Sequence, residues 1–323
     1  MVTIALIGGA GFVGTRLASV LNENTTDYKI FDKILSGDNY VDITKPETLE
    51  SLPDIDVVIN LAAEHRDDVT PKSLYDLVNV EGSANICNFC RERGISTIVF
   101  TSSVAVYGFA PEGTDEAGEI NYFNDYGRTK YLAENVYREW YEEDPESRNL
   151  IIVRPTVIFG EANRGNVYNL LKQIASGKFI MFGDGKNRKS MAYVQNVAEF
   201  LVFSTNLKGY SLYNYIDKPD LDMNTLVSTV RKTLFNKDGV GLRLPAWLGK
   251  LAGYGFDALA IILHKKLPIS SIRVKKFMGT TAFNTSLYQS GFTARVSLED
   301  GLKSTLSYEF IEDNSSKKTF VTE

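Results

Sequence analysis

The chain has 323 residues, 44% of them hydrophobic, with 35 Lys and Arg against 40 Asp and Glu. That length buries one large core or two unequal ones. A formal net charge of -5 lacks the cationic excess needed to hold a nucleic-acid backbone, so nucleic acid is excluded as an expected partner.

The N-terminus, MVTIALIGGAGFVG, has no basic region before its apolar run and turns glycine-rich at once. It is a strand and loop and not a secretory signal, so a cytoplasmic protein is expected. From residue 2 to about 156, short β-rich runs alternate with helical patterns: VTIALIG, DYKIFD, NYVDI, DVVINLAA, TIVFTSS and LIIVRPT. The alternation predicts an α/β fold with a parallel sheet between two helical layers, and the nearly continuous apolar runs suit strands covered on both sides. Cys87 and Cys90 form a lone CxxC within a helical pattern. Without a second pair they cannot complete a four-cysteine zinc site; small apolar packing is expected of them, and no metal.

Gly8, Gly11 and Gly14 in GGAGFVG end the first strand and, with Phe12 and Val13, open the following helix. Missing side chains there let a pyrophosphate reach backbone N–H groups at the helix N-terminus. Asp32 closes the second strand 24 residues after Gly8, the place of a ribose-binding acid, and a carboxylate there favours NAD over NADP. Asp42, at the end of the NYVDI run, either reaches the adenine or caps the helix TKPETLE. A doubly wound, Rossmann-type dinucleotide half is therefore expected over residues 1–160, with 190–215 returning to it. Residues 161–310 are expected to form a smaller, interleaved α/β substrate lobe, and 311–323 a frayed polar tail.

Tyr126 and Lys130 in YGRTK lie four apart and share one helical face. The ammonium can lower the phenol from its reference near 10, helped by a cationic nicotinamide ring, and the phenolate can take a proton from a sugar hydroxyl. Alone, the pattern equally fits an exposed amphipathic helix. Upstream, TSSVAVYG places Ser102 and Ser103 at the sheet's C-terminal edge, where open α/β sheets bind ligands.

Taken in order, GGAGFVG, NLAA, NVEGS, TSSVAVYG, YGRTK and RPTVIFG resemble extended short-chain dehydrogenases/reductases of the epimerase and dehydratase family. The resemblance implies Ser103, Tyr126 and Lys130 as the catalytic set, with Lys130 also holding nicotinamide ribose. It further implies Ala62, Ala63, Asn79 and Pro155 beside NAD, and a homodimer. Related dehydratases carry an Asp–Glu pair where this chain has Val104 and Ala105, so elimination of water is disfavoured and epimerisation expected; a ketosugar reductase with an exchanging cofactor would use the same residues, and the preference of Asp32 for NAD speaks only weakly against it.

In the second half, Arg164 with Asn166 in EANRGN, Arg188 and Lys189 in GKNRKS, and Arg273 in SSIRVKK are candidates for a substrate diphosphate; each is alternatively a solvated surface charge. UDP-sugar 4-epimerases carry an Arg–Asp pair in the segment matching Lys189 and Ser190, so this chain departs from them. His65 and Arg66 follow the fourth run at the same edge, either as sugar or diphosphate contacts or as local hydrogen-bonding residues. The apolar segment from Leu244, followed by Lys265, Lys266, Lys275 and Lys276, fits either a core helix or a surface resting on an anionic bilayer. LAAEHRDDV, RPTVIFGEANRGNVYNLLKQIASGKF, KSMAYVQNVAEF and SSIRVKKF resemble the epimerases that invert N-acetylglucosamine on undecaprenyl diphosphate during O-antigen assembly. That resemblance implies a transient 4-keto sugar, N-acetylgalactosamine as product, and a peripheral place at the cytoplasmic face of the inner membrane.

Overall fold

A computed structural model describes residues 2–66, 69–249, 251 and 278–321. Strands β1 (Thr3–Ile7), β2 (Asp27–Phe31), β3 (Val57–Asn60), β4 (Thr97–Thr101) and β5 (Asn149–Pro155) alternate with helices α1 (Phe12–Glu23), α2 (Pro46–Glu50), α3 (Ser73–Tyr75), α4 (Gly82–Arg93) and α5 (Asp125–Glu142). Beyond them come β6 (Val157–Phe159), α6 (Asn166–Ala175), β7 (Met181–Phe182), β8 (Arg188–Lys189), β9 (Met191–Tyr193), α7 (Val194–Ser204) and β10 (Tyr210–Tyr215).

Six of these strands form one parallel sheet in the order β10-β5-β4-β3-β1-β2. The direction of winding reverses at β1, so a crevice opens beyond the C-terminal ends of β1 and β3. Side chains alternate across the layer as the two-residue strand period requires. Ala5, Ile7, Val58, Ile98, Phe100, Leu150 and Ile152 enter one core with α4 and α5, while Ile4, Leu6, Val57, Ile59, Val99, Ile151 and Val153 enter a second with α1 and α7. Cys87 and Cys90 are buried in the first core, where burial pushes the Cys87 thiol up to about 12 and Cys90 well above its usual value. Neither is a thiolate at neutral pH.

A third core joins α6 to α8 (Met223–Phe235) and α9 (Leu298–Phe310). Asp222 caps α8 by accepting from Thr225 N, and Ser297 caps α9 by accepting from Asp300 N.

Two expectations need correction. NYVDI is not a sheet strand: Gly37–Asn39 forms a 3-10 turn, and Tyr40 makes only an isolated bridge to Asp32. Gly37, with φ of +61°, starts that turn and takes the chain out of extended geometry. The second concerns the tail expected to fray, whose described part is tied down at Phe320. Phe320 N donates to Ala162 O at 2.8 Å and Phe320 O accepts from Arg164 N at 2.7 Å, so an edge of free backbone groups holds it.

Candidate functional site

The loop between β1 and α1 lies in the crevice at the winding reversal. A Cβ on Gly8 would approach Ala62 N to 2.6 Å, and one on Gly14 would come within 2.5 Å of the Gly9 backbone; the protein itself fills both spaces. A Cβ on Gly11 meets only the Gly8 carbonyl, at 3.3 Å, so its outer face is left open. Gly11 is the N-cap of α1 and no side chain caps that end, leaving first-turn amides for an anion. The side chains of Phe12 and Val13 turn into the cores beneath.

Asp32 follows β2 and accepts from Ala10 N at 3.1 Å and from Ile34 N at 3.2 Å, which fixes its carboxylate beside the glycine loop. Ala62 is held by its N–H donating to Asn60 Oδ1, and Asn60 in turn donates to Tyr137. Ala63 is half-buried next to it. These groups fit a dinucleotide: an open glycine, unsatisfied helix amides and an acid at the ribose position.

Asn124 caps α5 by accepting from Gly127 N at 2.9 Å. A Cβ on Gly127 would lie 2.4 Å from Ala105 O, so only glycine lets α5 sit directly on the 3-10 turn Val104–Tyr107. That contact brings Tyr126 to Ser103, whose hydroxyl hydrogen-bonds the phenol and also accepts from Ala105 N. Lys130, one turn along the helix, is 3% exposed, donates to Thr101 O at 2.7 Å and lies 4.7 Å above the Phe100 ring.

The expected lowering of the phenol is not made by the chain alone. Burial pushes Tyr126 above its usual value and the Ser103 hydrogen bond only partly opposes it. Burial likewise brings the Lys130 ammonium down to about 7, against the opposing pull of Glu134. Desolvation outweighs the four-residue spacing, and a cationic group beside the phenol would have to supply the rest.

Asn79 lies in a π-turn, Asp76–Glu81, between α3 and α4. Its amide accepts from Glu64 N and donates to Glu64 O and Thr129 Oγ1, tying the loop after β3 to α5. It is a clamp between two elements of the site, 3% exposed, instead of an open cofactor contact. Pro155 is buried at the end of β5, in register with Tyr215.

Several other candidates are engaged elsewhere. Ser102 donates to the buried carboxylate of Glu134 at 2.5 Å and does not face outward. Asp42 accepts from Thr44 N and Oγ1 in a local turn preceding α2; the N-cap of that helix is Lys45, with no side-chain cap, so Asp42 is not the helix cap that the sequence offered as an alternative. Arg164 pairs with Glu309 and stacks 4.3 Å over Tyr168; Arg188 pairs with Glu112; Arg66 pairs with Glu64 at 3.2 Å. Lys189 donates to Thr281 Oγ1 at 3.3 Å, and burial lowers it to about 8. His65 and Asn166 are exposed. Arg273 and the apolar segment from 252 onward lie outside the described residues.

The spacing of motifs did not reveal what lies behind the triad. Arg154, 2% exposed, makes a two-pronged bond to Glu134 at 2.8 and 2.6 Å and donates to Tyr107 at 2.7 Å; Tyr107 donates to Asn214. The signal was present as the acid one turn after Lys130 and the arginine opening RPTVIFG. An open cleft of about 400 Å³ flanks the first turn of α5, lined by Tyr75, Tyr122, Phe123 and two cations, Lys72 and Arg128, that pair with Asp125 and Asp76.

Comparison with known proteins agrees with this geometry. The NAD dependent epimerase/dehydratase family profile matches residues 4–214. The chain is 49% identical to the N-acetyl-alpha-D-glucosaminyl-diphospho-ditrans,octacis-undecaprenol 4-epimerase of Escherichia coli O157:H7, over 99% of both chains. It shares its fold with a UDP-N-acetylglucosamine 4-epimerase from Bacillus cereus, at 16% identity and a TM-score of 0.73, covering 95% of this chain and 98% of that one. It also shares it with a UDP-glucuronic acid 4-epimerase from the same organism solved with NAD, at 19% identity and a TM-score of 0.68 over 95% and 98%. With the glycine crevice, the Ser103, Tyr126 and Lys130 cluster and the matched profile together, this chain belongs to the NAD dependent epimerase/dehydratase family.

Proposed function

We propose that this protein is an NAD-dependent isomerase that interconverts N-acetylglucosamine and N-acetylgalactosamine while the sugar is linked to undecaprenyl diphosphate. The observation that carries the proposal is the end-to-end 49% identity to a 4-epimerase whose name states that substrate. The cluster of Ser103, Tyr126 and Lys130 beside the glycine crevice supplies the chemistry such an activity needs.

Bound at the crevice, NAD would supply the hydride acceptor and donor that inversion at C4 through a 4-keto sugar needs. Gly11 and the first-turn amides of α1 would hold the diphosphate of the cofactor, and Asp32 would hold the adenosine ribose. The Tyr126 phenolate takes the proton of the sugar 4-hydroxyl and later gives it back. Ser103 gives its one hydroxyl proton to the phenol oxygen and fixes the phenol's position. Lys130, one turn along α5, would favour the phenolate while it keeps its proton. Val104 and Ala105, the first residues of the turn after Ser103, carry no group for acid or base work, so the substrate keeps its water.

No helix among the described residues is long and apolar enough to cross a membrane. A peripheral contact with the cytoplasmic face of the inner membrane, a homodimer, and diphosphate contacts from His65, Arg66 or the basic segment around Arg273 belong to the same proposal. Incubating the purified protein with N-acetylglucosamine on undecaprenyl diphosphate, and separately on UDP, tests the substrate. Epimer from the lipid-linked sugar is expected; turnover of the UDP-sugar alone sinks the proposal.

A further inference from the structure

The glycine loop has a neighbour that motif spacing could not place. After α9 the chain returns across the protein, and Lys317 lies over Tyr308 with its N–H donating to Asn314 O. Phe320 joins the turn at residues 162–164 through the two backbone bonds already described, and its ring packs 5.9 Å from Phe12 in the first turn of α1. Between these anchors, the Lys318 ammonium donates to the carbonyl of Ala10 at 3.3 Å and sits 4.9 Å above the Phe320 ring. Ala10 belongs to the glycine loop, and its own N–H binds Asp32.

That position is electrostatically odd for the chain by itself. The uncapped end of α1 is the positive end of a helix dipole, and a cation beside it is repelled unless an anion lies between them. Arg16, on the same helix, is neutralised by Glu161 at 2.8 Å, and Arg164 by Glu309. No carboxylate pairs with Lys318 among the described residues. A dinucleotide's diphosphate is the anion that this loop is built to receive.

We propose that Lys318 neutralises the diphosphate of bound NAD, and that residues 317–321 form a strap that slows the cofactor's escape. The inference rests on the glycine crevice being the NAD site, and not on the identity of the sugar carrier. A strap suits an epimerase, which must return reducing equivalents to the same substrate and so keeps its cofactor through each turnover.

The test is NAD bound per chain after purification, and the rate of NAD release into excess unlabelled nucleotide, for the wild type and for Lys318→Met, Lys318→Arg, Phe320→Ala and a chain ending at Asn314. Lys318→Met should release NAD about tenfold faster, the scale of one charge-assisted hydrogen bond, and its release should depend less on salt. Lys318→Arg should restore most of the retention, and the chain ending at Asn314 should release NAD faster than any of the three point variants. Since Lys318 is exposed and its only described partners are a carbonyl and a ring, the melting temperature without NAD should be unchanged by Lys318→Met. Wild-type release and salt dependence in Lys318→Met would overturn the proposal. A wild-type chain that binds no NAD at all would instead overturn the assignment of the crevice.

Discussion

The half built on β1 to β5 and α5 and the lobe built on α6, α8 and α9 place charge by different means. In the first, the groups proposed to meet a ligand sit at fixed spacings on regular elements: Gly11 at the head of α1, Ser103 after β4, Tyr126 and Lys130 on α5. In the second, the described cations proposed for substrate are engaged by distant segments, Arg164 and Arg188 through ion pairs with Glu309 and Glu112 and Lys189 through a hydrogen bond to Thr281. Spacing along the chain thus encodes the chemistry of the first region, whereas partner choice between remote segments decides which charges in the second remain available.

If that contrast holds, disturbing the buried support of the first region should be the most damaging change. Arg154→Met removes one of the two cations on the Glu134 carboxylate, which keeps Arg138 and Ser102; with both groups of the lost pair at most 2% exposed, it should cost about 3 kcal/mol of stability in chemical denaturation, the lower end for breaking a buried pair. An unchanged unfolding midpoint would show that the pair does not support α5. Next in size, Tyr126→Phe should lower kcat at least ~10²-fold, the lower range for loss of a general base, while bound NAD stays at wild-type levels. Equal loss of NAD would mean that the phenol holds cofactor more than it moves protons.

A pH experiment sharpens the same contrast. Folded Lys130 gives up its proton near pH 7, against a usual value of 10.5 in the unfolded chain. Between those values the unfolded chain binds more protons, so the stability of the NAD-free protein should rise with pH, by at most about 1.4 kcal/mol per pH unit. Lys130→Met should flatten that rise, and a rise of equal slope in the variant would locate its source elsewhere. The smallest effect belongs to the second lobe: with its charge already met by Glu309, Arg164→Ala should change KM by less than about fivefold, the worth of a typical partly exposed ion pair. A larger rise in KM with kcat intact would return Arg164 to the diphosphate.

Much of the dinucleotide half was legible in the sequence because its cause is local. Glycines that allow close approach, apolar runs of strand length and a four-residue helical spacing are short-range signals. Even there the sequence misled where local propensity met a turn: NYVDI has strand composition, yet Gly37 bends the chain and leaves only the bridge at Tyr40. Ser102 and Ser103 look equivalent on paper. The strand's alternation sends one into the buried Glu134 and Arg154 network and the other to Tyr126. Tail residues such as Lys318 and Phe320 carried no usable signal, since their partners lie about 150 to 300 positions away. Charge pairing in the substrate lobe is non-local in the same sense.

The central claim is that Tyr126, Ser103 and Lys130 oxidise one sugar carbon and then reduce that same carbon without exchange with water. It is tested most directly with undecaprenyl-diphosphate N-acetylglucosamine carrying deuterium at C4, turned over in ordinary water and analysed by mass spectrometry of the released sugar. The account predicts N-acetylgalactosamine that keeps its deuterium at C4 with no net reduced cofactor released. Product with hydrogen from solvent at C4 would contradict it.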